Sequence, residues 1–372
     1  MKIARIEMFP VGPRWQLLRM ETDDGVVGWS EAILEGRAAT VRTAVDELMR
    51  MIVGSDPRRI EAQFQRMLRR PFYRFGPVLS SAISAVEMAM WDIKARALGV
   101  PIYDLMGGSV RDRVLVYGHV EGKTLETLRH ESQKARAMGC HIVKMPVEPL
   151  IPTMGIGAYV DWQLERYQCV HHAMGEGSEV AVDIHGRLPP AVARILCREL
   201  ESMRPYFIEE PVLPNMPTAL QQIRDSVGCP LAIGERLYTR WDFQAVIQHR
   251  LVDIVQPDVA HAGGLWEVRK IAAMAELEDT QLAPHCAVSP IALAASLQTD
   301  FCTPNFLCQE LGESLGDNIL RRPFQIQNGY IERPRKPGLG IEIDEHWVRQ
   351  QERAKPWDPP EWVHEDGSIA EW

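Results

Sequence analysis

The sequence predicts an α/β protein built around a barrel of alternating strands and helices, with a separate α+β unit ahead of it. Short apolar runs end in an acidic residue or a histidine at nearly constant intervals of 23 to 27 residues. A strand, a crossover helix and two loops fill about that length. The first stretch of about 110 residues lacks this repeat and contains a hairpin followed by helices. The last fifty residues lose the alternation again and are rich in Pro and Trp.

The amino-terminal unit begins with a predicted antiparallel hairpin. Residues 15–21 and 26–29 are predicted to be its strands, and Thr22-Asp-Asp-Gly25 supplies the Asp-Gly turn. Helical periodicity then predicts three helices, at residues 37–53, 57–69 and 79–98. We therefore expect an α+β unit over residues 1–112.

The barrel is expected over residues 113–320. Residues 114–117 and 141–144 are predicted to be its first two strands, and the repeating segments follow them. The remaining segment, 321–372, is expected to pack back on the amino-terminal unit and not to form a third domain. The Pro- and Gly-rich residues 146–160 predict a flexible active-site loop, because Gly155-Ile-Gly157 lacks the third glycine of a dinucleotide site.

A polar residue ends each of the five repeated apolar runs: Asp183, Glu209, Glu235, Asp258 and His285. The carboxyl ends of barrel strands meet at one rim, so these side chains are expected to converge there. Three neighbouring carboxylates repel one another unless a cation lies between them. Oxygen ligands without thiolates favour Mg²⁺ first and Mn²⁺ second. The alternative is that Asp183, Glu209 and Glu235 are surface carboxylates of βα loops that share this spacing by chance.

Two histidines accompany the predicted metal ligands. His185 follows Asp183 by two residues, and residues two apart on a strand share a face, so we expect its side chain in the same cavity. His285 is expected across the barrel mouth, with Asp258 close enough to orient its imidazole and raise its basicity. A metal with a histidine on either side suits removal of a proton alpha to a carboxylate, with the second histidine protonating a leaving hydroxyl.

Composition narrows the class of partner. The chain has 46% hydrophobic and 24% charged residues and a formal net charge of -9, as expected of a soluble globular protein that does not bind nucleic acid or anionic membranes. Seven cysteines without a CxxC pair predict buried thiols in a reducing compartment. The amino terminus does not resemble a signal peptide, and no apolar run is long enough to span a membrane. We therefore expect a cytoplasmic enzyme acting on a small molecule.

Several longer motifs are spread along the whole chain: Glu21-Thr-Asp-Asp-Gly-Val-Val-Gly28, Leu105-Met-Gly-Gly108, Asp183-Ile-His-Gly-Arg187, Phe207-Ile-Glu-Glu-Pro-Val-Leu213, Gly234-Glu-Arg236 and Ala283-Pro-His-Cys286. With these motifs the chain resembles the enolase superfamily, in the branch related to mandelate racemase. The resemblance implies an α+β capping domain over a modified (β/α)8 barrel, which the carboxy-terminal segment completes together with the cap. It also implies that Asp183, Glu209 and Glu235 bind one Mg²⁺ per subunit, and it implies a homo-oligomer.

The pair Asp-x-His-Gly-Arg and Ala-Pro-His is typical of the sugar-acid dehydratases of this superfamily. The resemblance then implies that His285, paired with Asp258, removes the C2 proton and that His185 expels the 3-hydroxyl, giving a 2-keto-3-deoxy acid. Glu310 matches the position that hydrogen-bonds the substrate carboxylate or enediolate. The remaining side chains expected to bind substrate are Arg14, Trp15, Tyr73, Arg74, Lys144 and Arg187.

One departure from the related racemases indicates the reaction type. Their second barrel strand ends in Lys-x-Lys, whereas this chain has Lys144-Met-Pro146, with proline in place of the second base. Racemisation by two bases is therefore disfavoured, and dehydration is favoured. D-galactonate is the first substrate to expect; the alternatives are another aldonate or aldarate (gluconate, arabinonate or galactarate), or a metal-binding scaffold without turnover.

Overall fold

The computed structural model describes residues 1–12, 14–151, 153–351, 357–364 and 366–371. Pro152 of the predicted loop and residues 352–356 of the carboxy-terminal segment lie outside the described residues. Within the described ranges, no helix has the length and apolar character needed to cross a membrane.

The amino-terminal unit is an antiparallel sheet covered by helices, as predicted. Its strands, in spatial order, are β1 (Ile3–Val11), β2 (Trp15–Thr22) and β3 (Val27–Glu31). Its helices are α1 (Ala38–Ile52), α2 (Ile60–Arg69), α3 (Pro77–Leu98) and α4 (Ile102–Leu105). The hairpin β2–β3 and the first three helices agree closely with the predictions from periodicity. Strand β1, which contains Pro10, was not predicted; it lies at the sheet edge and pairs only with β2.

The barrel follows the predicted alternation. Its parallel strands are β4 (Arg113–His119), β5 (Ile142–Pro146), β6 (Glu179–Asp183), β7 (Ile208–Glu209), β8 (Leu231–Ile233), β9 (Ile254–Val255), β10 (Gln281–Leu282) and β11 (Gln309–Glu310). The helices that connect consecutive strands are α5 (Leu125–Ala137), α6 (Ile156–Met174), α7 (Pro190–Glu201), α8 (Pro217–Arg224), α9 (Arg240–Gln248), α10 (Leu265–Glu276) and α11 (Pro290–Phe301). The sheet runs from β10 in order to β4 and then β11, and a parallel bridge between Leu282 and Phe306 joins its two ends. The α/β barrel prediction is therefore confirmed.

One layer of side chains fills the barrel interior beneath the carboxyl rim. Each strand region contributes one buried member: Tyr117, Ile142, Ala181, Phe207, Ala232, Ile254, Ala283 and Cys308. Alanines at three of these positions leave room for the aromatic rings of Tyr117 and Phe207, which meet edge to face with centroids 5.9 Å apart. This layer fills the barrel interior, so the space for a ligand lies at the carboxyl ends of the strands.

The carboxy-terminal segment contacts both units. Strand β12 (Tyr330–Glu332) pairs antiparallel with β4 of the barrel. Helix α12 (Glu345–Gln350) lies against the cap sheet, where Arg349 contacts Glu7 at 3.3 Å. The division of the chain after residues 112 and 320 stays a prediction.

Asp92 on α3 is a buried junction between the cap and the carboxy-terminal segment. Its carboxylate accepts hydrogen bonds from the backbone N–H groups of Trp29 (3.0 Å) and Leu339 (2.9 Å), and it contacts Arg96 Nε at 2.8 Å. Replacing it by alanine (Asp92→Ala) leaves these donors without their acceptor, so we expect the free energy of unfolding to fall by about 3–5 kcal/mol. Urea denaturation measures this loss, with the exposed Asp104→Ala on α4 as control; equal stabilities of the two variants would refute the junction.

Candidate active site

The predicted site residues of the barrel lie at one rim. Asp183, Glu209 and Glu310 are the last residues of β6, β7 and β11. Glu235, Asp258 and His285 lie shortly after the ends of β8, β9 and β10. Because all these strands are parallel and neighbouring, the constant spacing in the sequence becomes convergence in space.

Lys144 on β5 occupies the centre of the carboxylate cluster. Its Nζ lies 3.1 Å from Asp183 Oδ2, 3.0 Å from both carboxylate oxygens of Glu209 and 2.7 Å from Glu310 Oε1. Burial alone would lower the pKa of Lys144, but the charges of these three carboxylates raise it well above its usual value. Lys144 is therefore a permanent buried cation at the floor of the site.

His285 and Asp258 form a hydrogen-bonded pair. Nδ1 of His285 donates to Oδ2 of Asp258 at 2.6 Å, so the other ring nitrogen, Nε2, faces the cluster at 3.1 Å from Glu235 Oε2. Burial opposes protonation of the ring, but the negative charges of Glu310, Asp258 and Glu235 raise the pKa of His285 well above its usual value. The ring is thus oriented for proton transfer at Nε2.

His185 faces the same cluster from the side of β6. Its Nε2 lies 3.1 Å from Asp183 Oδ2 and 3.9 Å from Glu235 Oε1. Strand β6 ends at Asp183, and His185 has φ 53°, so a left-handed turn and not strand alternation directs it into the cavity. The Asp183 carboxylate accepts the backbone N–H of His185 at 3.1 Å and holds this turn. Burial lowers the pKa of His185, against the charges of Asp183 and Glu235.

Glu310 has three polar neighbours. His119 Nε2 lies 2.9 Å from Oε1, beside Lys144, and the backbone N–H of Cys286 donates to Oε2 at 2.9 Å. Burial would raise the pKa of Glu310, but Lys144, His285 and His119 hold it well below its usual value. Glu310 is therefore ionised, and the side chains nearest to its Oε1 are those of Lys144 and His119.

Three side chains of this site were missed from the sequence: His119, Glu210 and Arg236. Arg236 binds the buried Glu210 carboxylate and donates from Nη2 to the carbonyl oxygen of His185 at 2.8 Å, so it supports the left-handed turn. Each could have been found by its place in the repeat. His119 ends the first barrel strand, and Glu210 and Arg236 directly follow the predicted ligands Glu209 and Glu235.

The charges of the cluster fit a divalent cation. Among the described residues, the site has more acidic side chains than cationic ones. The acidic side chains are Asp183, Glu209, Glu210, Glu235, Asp258 and Glu310, and the cationic ones are Lys144, Arg187 and Arg236. No three acidic or histidine side chains of the described chain already surround one point as metal ligands. Lys144 Nζ lies between Asp183 and Glu209, and His185 Nε2 lies between Asp183 and Glu235. The donor set, three carboxylates on adjacent strands, is the kind that Mg²⁺ prefers.

Arg14, one of the four predicted cap residues, contacts the barrel. Arg14 forms an ion pair with Glu313 at 2.6 Å and donates to the carbonyl oxygen of Ala287, two residues after His285, at 3.2 Å. Trp15 is buried at the start of β2. Tyr73 and Arg74 lie on an exposed turn between α2 and α3, and 83% of Tyr73 faces solvent. The role of Tyr73 and Arg74 in substrate binding stays a prediction.

Arg187 lies beside the predicted active-site loop and fixes its beginning. It donates to the carbonyl oxygen of Val147 at 2.7 Å, and its guanidinium lies 5.2 Å from the ring centroid of Trp362. The Val147 N–H donates to the Asp183 carbonyl oxygen at 2.7 Å, and the Tyr159 hydroxyl donates to the carbonyl oxygen of Glu148. The first residues of the 146–160 loop are therefore tied to the rim.

Known proteins resemble this chain over its full length. The family described as enolase C-terminal domain-like matches residues 127–347, and the mandelate racemase / muconate lactonizing enzyme N-terminal domain matches residues 13–107. D-galactonate dehydratases of Ralstonia pickettii and Variovorax paradoxus are 42% and 41% identical to it, with 100% of each chain covered.

Solved structures agree with these sequence relatives. An enolase from Agrobacterium radiobacter, bound to sodium and L-malate, superposes with a TM-score of 0.92 at 29% identity over 100% of both chains. A mandelate racemase/muconate lactonizing enzyme from Sulfitobacter sp. superposes with a TM-score of 0.89 at 26% identity, over 97% of this chain and 99% of that one. The chain belongs to the enolase superfamily, in the branch of mandelate racemase and muconate lactonizing enzyme.

Proposed function

We propose that this chain is a Mg²⁺-dependent D-galactonate dehydratase, a carbon–oxygen lyase that converts the sugar acid to a 2-keto-3-deoxy acid. The reaction class, dehydration of an acid sugar, is that of the full-length relatives. The observation that carries the mechanism is the placement of two imidazoles on one carboxylate cluster. His285 Nε2 contacts Glu235, and His185 Nε2 contacts Asp183.

In the proposed reaction, His285 Nε2 accepts the C2 proton of the substrate while Asp258 holds the opposite ring nitrogen. The electron pair of the broken C2–H bond moves toward the substrate carboxylate. It then returns to form the C2–C3 double bond as the C3–O bond breaks. His185 gives a proton to the departing hydroxyl, which leaves as water, and the resulting enol tautomerises to the 2-keto-3-deoxy acid.

Asp183, Glu209 and Glu235 would hold the metal. When bound, Mg²⁺ would stabilise the negative charge that develops on the substrate carboxylate as the C2 proton leaves. The same carboxylates now engage the reactive nitrogens of the imidazoles, at 3.1 Å in both cases. Their use as metal ligands would release both Nε2 atoms for proton transfer. Lys144, a buried cation between these carboxylates, would attract the carboxylate of the substrate.

The second strand of the barrel supports elimination over racemisation. β5 ends in Pro146, whose position pairs with Asp183 in the parallel register, and a proline ring offers no base there. The side of the site opposite His285 therefore presents His185, which follows the metal ligand Asp183, as its proton donor.

The substrate can be tested with a panel of acids. The purified protein is incubated with Mg²⁺ and D-galactonate, D-gluconate, D-arabinonate or galactarate, and 2-keto-3-deoxy acid is measured. We expect the highest kcat/KM with D-galactonate. A higher value with another acid would correct the substrate but keep the reaction. Tight binding of an acid without any keto acid would instead indicate a binding protein and refute the dehydratase.

A further inference from the structure

We propose that His261 is a positioning residue for the base, acting on His285 through Asp258. His261 Nε2 lies 3.9 Å from Oδ2 of Asp258, the same oxygen that accepts the hydrogen bond from His285 at 2.6 Å. His261 is 3% exposed, and on sequence grounds alone it would be a packed core histidine. This inference rests on the proposed function, because it assigns a second partner to the proposed base pair.

The orientation of the His261 ring follows from its partner on the cap. Ser81 on α3 donates its single hydroxyl proton to the carbonyl oxygen of Pro77 at 2.7 Å. Its Oγ, 2.9 Å from His261 Nδ1, must therefore accept a proton from that nitrogen. With Nδ1–H engaged on the cap, Nε2 is the nitrogen directed toward Asp258.

Nε2 of His261 lies between two carboxylates. Besides Asp258, it is 4.0 Å from Oε2 of Glu35, which follows β3 of the cap. Both distances are within the range of an ion pair but longer than a direct hydrogen bond, and this buried nitrogen has no hydrogen-bond partner among the described atoms. A histidine that only packs the core would have its buried nitrogens paired. The unpaired nitrogen beside Asp258 is the observation that separates a positioning role from simple packing.

The cap helix α3 holds the loop that carries Asp258 and His261. Ser84 accepts the N–H of Gly263 at 2.8 Å. Glu87 accepts the N–H groups of Leu265 and Trp266 at 2.9 and 3.0 Å. Ser81, Ser84 and Glu87 lie on one face of α3, and together they hold residues 261–266. The orientation of Asp258 is therefore coupled to the seating of the cap, and His261 is the side chain that contacts both.

Glu35 extends this connection to the rim. It forms an ion pair with Arg14 at 3.5 Å, and Arg14 also binds the carbonyl oxygen of Ala287 beside His285. A path of contacts thus runs from Arg14 through Glu35 and His261 to Asp258. Seating of the cap and alignment of the base depend on the same side chains.

Two substitutions test the roles of the two ring nitrogens of His261 one at a time. The amide of asparagine (His261→Asn) occupies the place of Nδ1 and keeps the contact with Ser81. Glutamine (His261→Gln) reaches the place of Nε2 and keeps a polar amide beside Asp258. We expect kcat to fall about 10–100-fold in His261→Asn with KM nearly unchanged, and glutamine to restore most of it. The matched control His249→Asn changes an exposed histidine at the end of α9 and should keep the wild-type kcat.

A second measurement does not depend on turnover. The proton on His285 Nδ1, in its short hydrogen bond to Asp258, should give a downfield NMR signal in protein labelled with ¹⁵N-histidine. We expect this signal to move in His261→Asn and to stay near its wild-type position in His261→Gln and in the control His249→Asn. An unmoved signal in His261→Asn, or equal loss of kcat in the Asn and Gln variants, would overturn the proposal. Absence of dehydration by the wild-type protein would count against the proposed function alone, because the NMR comparison still tests His261.

Discussion

The His285→Asn variant is expected to lose both dehydration and exchange of the C2 proton with solvent deuterium. Asparagine can still donate to Asp258 but offers no nitrogen that accepts a proton in place of Nε2. A positioned base contributes about 10²–10⁴-fold to the rate, so kcat should fall by at least that factor. The loss should be large even though the fold is kept, because Asp258 keeps a donor on its Oδ2.

The His185→Asn and His285→Asn variants should lose different steps of the reaction. In His185→Asn, His285 still removes the C2 proton, so exchange should continue while release of the 3-hydroxyl is lost. NMR of the substrate in deuterated buffer measures exchange, and a keto-acid assay measures dehydration. The exposed His249→Asn, at the end of α9, is the control and should keep both activities. Continued exchange in His285→Asn, or loss of exchange only in His185→Asn, would mean that the base was assigned to the wrong histidine.

The Glu209→Gln variant is expected to lose Mg²⁺ affinity and, with it, activity. Glu209 is fully buried between Asp183 and Lys144, and the amide keeps its size but removes its charge. Burial, with the charge of Asp183, raises the pKa of Glu209 to about 8 against the opposing effect of Lys144. A divalent cation would stabilise the ionised form of a carboxyl group in such surroundings. Removing a group that supports a metal ligand typically weakens metal binding by about 10–100-fold. Loss of Glu209, a direct ligand, should weaken Mg²⁺ binding by more than that.

Calorimetric titration with Mg²⁺ measures this affinity directly. The control is Glu179→Gln, an exposed carboxylate at the opposite end of the neighbouring strand β6, which should bind as the wild type does. Chelation should abolish dehydration by the wild type, and Mg²⁺ should restore it. Wild-type Mg²⁺ affinity in Glu209→Gln, or full activity after chelation, would refute the assignment of the ligands.

The positions of the strand-end residues could be predicted because barrel geometry converts a sequence period into a shared rim. Asp183 and Glu209 are predictable in this way since each is the last residue of a parallel strand. His185 was assigned to the correct cavity by an incomplete argument. Its direction comes from a left-handed turn supported by Asp183 and Arg236, and no pattern of alternation contains that information.

The cap was less predictable for a physical reason. Contacts between cap and barrel join residues far apart in sequence, as Arg14 and Ala287 show, and no local periodicity encodes them. Tyr73 and Arg74 belong to an exposed turn, so their expected contact with the substrate stays a prediction. His119 was missed because β4 was predicted to end at residue 117, two residues before the side chain that contacts Glu310.

The central claim is that this rim eliminates water from a sugar acid and does not racemise it. Wild-type protein with Mg²⁺ and D-galactonate in deuterated water tests this claim most directly, with products followed by NMR. Proton removal at C2 and loss of the 3-hydroxyl predict a 2-keto-3-deoxy acid that carries solvent deuterium at C3. Accumulation of the C2 epimer with deuterium at C2, and no keto acid, would contradict it.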